Sequence, residues 1–261
     1  MILVSGAASG PGRPSGPPSA RQYSGPRHLV EAERLVDNLT PGKPNPRNVY
    51  LNPGEKTVLS WGVNAPYRAR AECTSFVVHI LKHSYPHWVR NGFLRIQFGG
   101  SAPSARELYQ KFATAVVPHF TRIDTVAALR PGDIIVIDYQ NGASGDKDDS
   151  ATPSGHAAII RTVQGSYPGT KGNQPGLLQY AVQVIDNTRT PHGTPGAPSY
   201  QGYPDTRVFA GNYIGNGAGY GYMILYADAT TGKLAGYRWS PTDPKPHLSD
   251  HKILAVRITS P

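Results

Sequence analysis

Cysteine occurs once in this 261-residue chain, as Cys73. A single thiol cannot form an intramolecular disulfide or a multi-cysteine zinc site, so it is either a packed small side chain or a nucleophile. Its surroundings favour the nucleophile. Cys73 opens a helical apolar pattern (ECTSFVVHILKH, 72–83) behind the polar, basic stretch Arg68-Ala69-Arg70-Ala71-Glu72. A helix start offers partial positive charge and free N–H groups, and both favour thiolate over thiol. A thiolate nucleophile needs a base, normally a histidine, and nine are present. His79 and His83 share the Cys73 helix but lie roughly 9 and 15 Å down its axis. His28, His87, His119, His192, His247 and His251 sit in polar or Pro-rich settings that suit solvated roles. His156 differs, because it opens the apolar run HAAIIRTV directly after Ser154-Gly155. Packed neighbours then hold its ring at a sheet edge.

An imidazole base needs an orienting acceptor. Asp186 closes the next strand pattern (LQYAVQVID). If 156–163 and 178–186 form a hairpin, Asp186 is a cross-strand neighbour of His156. Asp186-Asn187-Thr188 also reads as a turn initiator, and Asn187 and His192 are the alternative orienters. For a tetrahedral oxyanion, the Cys73 backbone N–H is one donor, and the upstream Asn64 and Tyr67 are candidates for a second.

The elements that position these residues follow from periodicity. Apolar spacing predicts helices over 28–39 and 72–83, the latter with Phe76, Val77, Ile80 and Leu81 on one side. It predicts a third helix over 104–117, with Ser104 as N-cap ahead of Glu107. A short strand is expected at 57–61. Beyond residue 130 the texture changes to about six strands: 133–139, 156–163, 178–186, 220–227, 234–239 and 253–259. Helices first and strands later predict an α+β domain with an antiparallel sheet. One domain is expected over 28–261, behind a disordered Pro/Gly/Ser-rich leader at 1–27 that could carry a signal remnant. The stretches 140–155 and 165–176 read as hairpin insertions.

Three segments carry a resemblance. AECTSFVVHIL, LRPGDIIVID and GHAAIIRTV occur in this order across about residues 60–190. Together the chain resembles the NlpC-like and CHAP-like cysteine peptidases and amidases of bacterial cell walls, members of the papain-like superfamily. The resemblance implies a papain-like α+β fold, with N-terminal helices packed on a roughly six-stranded antiparallel sheet. It implies Cys73 as nucleophile, His156 as base and a polar third residue, a role Asp186 can fill. It implies cleavage of an amide in the peptide stem of peptidoglycan, outside the cell or in the periplasm. The long gaps from Cys73 to His156 and from His156 to Asp186 depart from the compact family form. The segment after 190, with Asp205-Thr206-Arg207, has no counterpart in it.

Composition sets the partner classes. Hydrophobic residues are 38% and charged residues 16%, while 29 Gly and 25 Pro make the chain loop-rich. Fifteen Tyr against six Phe suit wet grooves. No run approaches the roughly 18 apolar residues of a membrane span. The net charge of +9 fits an anionic wall polymer or peptide substrate. The Lys and Arg are scattered, so a nucleic-acid partner is not expected. No cofactor or metal is expected: DKDD at 146–149 lacks the pattern of a calcium loop, no HExxH occurs, and GNGAGYG at 215–221 follows no βα unit. A monomer is expected. The same site working on another peptide or acyl substrate, and a non-catalytic wall-binding module, are the competing readings.

Overall fold

The computed structural model describes residues 23–39, 44–52, 55–140, 154–197, 200–209 and 213–259. Most of the expected leader, the DKDD stretch and most of the 140–155 insertion lie outside these residues. The elements run α1 (Arg27–Asp37), β1 (Asn48–Tyr50), β2 (Val58–Ser60), β3 (Arg68–Ala71), α2 (Cys73–Ser84), α3 (Asn91–Phe98) and α4 (Ala105–Thr114). They continue with β4 (Phe120–Ile123), a 3-10 turn (Val126–Ala128), β5 (Ile134–Asp138), β6 (Gly155–Ser166) and β7 (Leu177–Thr188). The last are β8 (Val208–Phe209), β9 (Tyr213–Ile214), β10 (Gly217–Asp228), β11 (Leu234–Arg238) and β12 (Lys252–Ile258).

The main sheet has seven strands in the order β11-β10-β7-β6-β5-β12-β4, every neighbouring pair antiparallel. It curls until its two outer strands nearly meet. Thr125 bridges Lys233, Leu234 N–H donates to the Asp124 carbonyl at 2.9 Å, and Val126 N–H donates to the Gly232 carbonyl at 3.1 Å. The curl divides the core by strand alternation. Ile135, Ile137, Ala158, Ile160, Val182, Val184, Met223 and Leu225 pack on one face. Val136, Ala157, Ile159, Ile185 and Ala218 look to the other, where the helices cover them. Strands buried on both faces read as near-continuous apolar runs, which is why β5 and β10 look as they do in sequence.

α2 buries Phe76, Val77, Ile80 and Leu81 against the sheet, as their spacing predicts. Ser104 caps α4, with its hydroxyl accepting from Glu107 N–H at 3.2 Å. α3 (NGFLRIQF) was not expected. It fills the gap between two predicted helices and buries only Leu94 and Phe98.

The expected papain-like α+β architecture is overturned. The protein is mostly β, with a seven-stranded curled sheet and a separate small sheet ordered β1-β3-β2. Its four helices are 11, 12, 8 and 10 residues long, while β6, β7 and β10 are each 12. The extra strands are short or polar, such as the RARA of β3 and the FTRI of β4, so alternation gave no signal for them.

Gly155 begins β6 where β5 passes close by. A Cβ there would lie 1.9 Å from the Ile137 carbonyl oxygen and 2.9 Å from the Ala105 Cβ. Gly155→Ala should therefore strain the sheet beside His156 by about 1–3 kcal/mol, lowering Tm by about 2–10 °C. A thermal melt checks this, and an unchanged Tm would show that the strand gives way without cost.

Candidate functional site

Cys73 is the first residue of α2, behind a capping box in which Glu72 and Ser75 satisfy each other's backbone N–H groups. The box fixes the helix start and leaves the Cys73 side chain over the start of β6. Sγ lies 3.7 Å from the Gly155 carbonyl oxygen and 3.7 Å from Thr74 Oγ1. Burial alone pushes the thiol up. The hydrogen bond and positive charge of His156, with the Thr74 hydroxyl and the Ala157 N–H, outweigh burial and bring the thiol below its ordinary value.

His156 pairs with Ile137 across the β5–β6 ladder. On the other side Ile159 pairs with Ile185, a register that sets Asp186 diagonally across from His156 on the same face. His156 Nε2 reaches Asp186 Oδ2 at 2.7 Å. Burial opposes the imidazolium, but the Asp186 hydrogen bond and the bond and charge of Cys73 outweigh it. The ring is raised to about 9. Cys73 and His156 thus line one cleft, and His156 bonds Asp186 behind it.

Asp186 is fully buried, and two further groups hold its charge. Arg207 Nη1 donates to Oδ1 at 2.8 Å, and His192 Nε2 meets Oδ2 at 2.7 Å. Burial would raise this carboxyl; the charges of Arg207 and His192 and the histidine hydrogen bonds hold it well below the usual carboxylate range. Arg207 in turn grips Asp205 through Nε and Nη2 at 2.9 and 2.8 Å, and the Asp205 carboxylate also accepts the His192 backbone N–H. His192 Nδ1 donates to the Trp239 carbonyl at 2.7 Å, and its ring stacks on Trp239 with centroids 4.2 Å apart. Trp239 also meets His156 edge-on at 4.9 Å.

His156, Asp186 and His192 place three possible metal-ligating atoms within 4.8 Å. Both Nε2 atoms point at the same carboxylate oxygen at hydrogen-bond length, and Arg207 already holds the other oxygen. That donor set is a hydrogen-bonded charge cluster rather than a chelate, since a cation there would face the guanidinium.

Cys73 and His156 open onto a cleft of about 230 Å³, lined also by Tyr50, Tyr139, Thr188, Arg189 and Trp239. Tyr50 is placed by Asn48, whose carboxamide exchanges two hydrogen bonds with the Ala218 backbone at 2.8 and 2.7 Å and pins β1 to β10. Tyr50 shares the cleft wall with Cys73, and burial together with the thiolate charge pushes its hydroxyl up.

Three of the residues singled out in sequence, Cys73, His156 and Asp186, come together. His192 joins behind Asp186 rather than on His156. Asn187 points to the opposite face, and its buried carboxamide has no hydrogen-bond partner. Asn64 is exposed on a turn, and Tyr67 lies over Gly62 against the core. Neither lines the cleft, whereas Tyr50 does. His28 and His192 are buried rather than solvated, and His28 bridges the Tyr85 hydroxyl and the Gly132 carbonyl. Tyr50, Asp205, Arg207 and Trp239 carried no periodic signal, though Asp205-Thr206-Arg207 stood out as a segment without an assigned role.

A curled, mostly β domain with a buried Cys–His–Asp chain at one end of its sheet is thus what the fold and site define. No family model and no solved structure matches the chain. It is 30% identical over 211 residues to the uncharacterized protein R653 of Acanthamoeba polyphaga mimivirus, covering 76% of this chain and 83% of the viral protein. The chain belongs to the family of that viral protein.

Asp186→Asn would leave Arg207 and two histidines facing a neutral group, at a cost of about 3–5 kcal/mol in urea unfolding at pH 7. Because the folded carboxyl is held low, its contribution is fully present above the unfolded value of about 3.9 and is lost as pH falls through the folded value. The gap between wild type and variant should hold down to about pH 4 and close below it. A gap independent of pH would remove Asp186 ionisation from the account.

Proposed function

We propose that the protein is a cysteine hydrolase that cleaves an amide bond, with the peptide stem of peptidoglycan as its substrate, working outside the cell or in the periplasm. The observation that carries this reading is that Cys73 and His156 line one cleft, with His156 Nε2 2.7 Å from the Asp186 carboxylate behind it. The basic surface and the tyrosine-lined cleft support a peptide on an anionic polymer. Among the described residues no helix is long and apolar enough to cross a membrane.

In this reading the Cys73 thiolate attacks the amide carbonyl carbon, forming the C–S bond. The oxyanion is held by the Cys73 N–H at the start of α2 and by the Tyr50 hydroxyl. His156 gives its proton to the leaving nitrogen as the C–N bond breaks, which leaves a thioester. His156 then takes a proton from water as it attacks the thioester. The acid is released and the thiolate–imidazolium pair returns. Asp186 keeps the ring oriented and stabilises its charge, and His192, Arg207 and Asp205 keep Asp186 ionised and in place.

The pair exists between the lowered value of the Cys73 thiol and the value of about 9 at which His156 loses its proton. Iodoacetamide should alkylate Cys73 on an acid-shifted curve. His156→Ala should return the curve toward the ordinary cysteine value of about 8.5. Turnover needs the imidazolium, so its rate should fall on the alkaline side near 9. In a peptidoglycan digest read by mass spectrometry, Cys73→Ala should release no peptide fragments while its circular dichroism is unchanged. A Cys73 that is inert, or that titrates near 8.5 with or without His156, would remove the nucleophile and leave a binding module. A reactive Cys73 with no peptidoglycan fragments would move the same chemistry to another peptide or acyl substrate.

A further inference from the structure

Arg189 stands on the wall of the cleft that holds Cys73 and His156. It directly follows β7, so the strand that carries Asp186 also sets its backbone. Its Nη2 donates to Asn52 Oδ1 at 3.1 Å, and its guanidinium carbon lies 5.5 Å from the centre of the Tyr50 ring. These two contacts hold the group without neutralising it. Other arginines of the fold are matched: Arg207 by Asp186 and Asp205, Arg161 by Glu33, Arg257 by Asp133 and Arg106 by Asp138. Among the described residues no carboxylate is within ion-pair distance of Arg189. Among the described residues one of its five N–H donors is used, and its guanidinium keeps the planar fork that fits a carboxylate.

The remaining walls are aromatic rings and hydroxyls, from Tyr50, Tyr139, Trp239, Thr188 and Thr190. At about 230 Å³ the cleft is smaller than the roughly 300–1,000 Å³ of small-molecule pockets. It therefore fits a single residue beside the scissile bond rather than a long stretch of polymer. We propose that Arg189 anchors a carboxylate of the substrate, so that the site selects acyl or peptide groups carrying a free carboxylate next to the amide that Cys73 attacks. The inference rests on Cys73 acting as the nucleophile.

Two alkylating probes of nearly equal size test it: iodoacetate, which carries a carboxylate, and iodoacetamide, which does not. The rate of Cys73 alkylation by each is measured at pH 7 in wild type, Arg189→Gln and Arg189→Lys. Taking the iodoacetate-to-iodoacetamide ratio cancels changes in the thiolate itself, and the attraction of His156 is common to all three proteins. The ratio should fall about five-fold or more in Arg189→Gln, as expected for removing one nearby unit charge. It should fall less in Arg189→Lys, which keeps the charge and loses the fork. A ratio unchanged in Arg189→Gln, with Cys73 still reactive, overturns the anchor and leaves the nucleophile standing. A Cys73 inert to both probes in the wild type overturns both.

Discussion

A carboxylate with no solvent exposure is the constraint on which the rest of this structure turns. Asp186 sits near the end of β7 with no solvent exposure, and an isolated charge there would be prohibitive. Three groups make it tolerable, and each brings a requirement of its own. Arg207 is also buried, and one carboxylate does not use its fork, so Asp205 must face it. His192 needs an acceptor for its second nitrogen, which the Trp239 carbonyl provides. His156 needs its other side satisfied, which Cys73 does. Two carboxylates, a guanidinium and two imidazoles then make up the cluster. A network of this kind holds together only if every member is satisfied.

This requirement explains the chain beyond residue 190. Residues 192, 205, 207 and 239 come from loops and a strand end far apart in sequence, yet all four converge on the end of β7. Close approach is built in at Gly221, where a Cβ would lie 2.4 Å from the His192 ring and 2.5 Å from Asp205 Oδ2. A side chain there would push both away from Asp186. Gly219, one pleat earlier on the same strand, similarly leaves room for the Arg207 side chain. Gly219 and Gly221 of GNGAGYG are thus spaces for buried charge. Their alternation along β10 follows from the two-residue period that puts 217, 219 and 221 on one face.

The chemistry-bearing trio was legible because each member sits at the boundary of a strong apolar run. Cys73 precedes the stripe of Phe76, Val77, Ile80 and Leu81; His156 opens HAAII; Asp186 follows VQVI. Hairpin adjacency then placed two of them together without knowledge of the fold. Asp205 and Arg207 were not legible, since their roles depend on a polar loop returning to the sheet, and no local period records that. Tyr50 was hidden for a similar reason: a three-residue strand, NVY, is too short to alternate, and its place comes from a carboxamide bonding 170 positions away. The fold class failed on the same kind of contact. The closure of the sheet is made by backbone groups at Asp124, Thr125, Val126, Gly232, Lys233 and Leu234, and backbone bonds leave no signature in side-chain type.

The surroundings of the thiol also bear on its reactivity. Cys73 is only 6% exposed, which for an isolated thiol would favour the neutral form. Here low exposure has the opposite consequence, because the opposing charge is buried with it. Trp239 against His156 on one side, and Tyr50 and Tyr139 on the other, narrow the cleft beside the thiol and the imidazole. In such surroundings each hydrogen bond from His156, Thr74 and the Ala157 N–H counts for more than it would in solvent. The same burial makes the pair depend on Asp186: without a fixed negative charge behind it, a buried imidazolium would shed its proton and the thiolate would recover its own. In the proposed reading the reactivity of Cys73 thus depends on Arg207 and Asp205, two residues that do not touch it, through the one carboxylate that Arg207 holds.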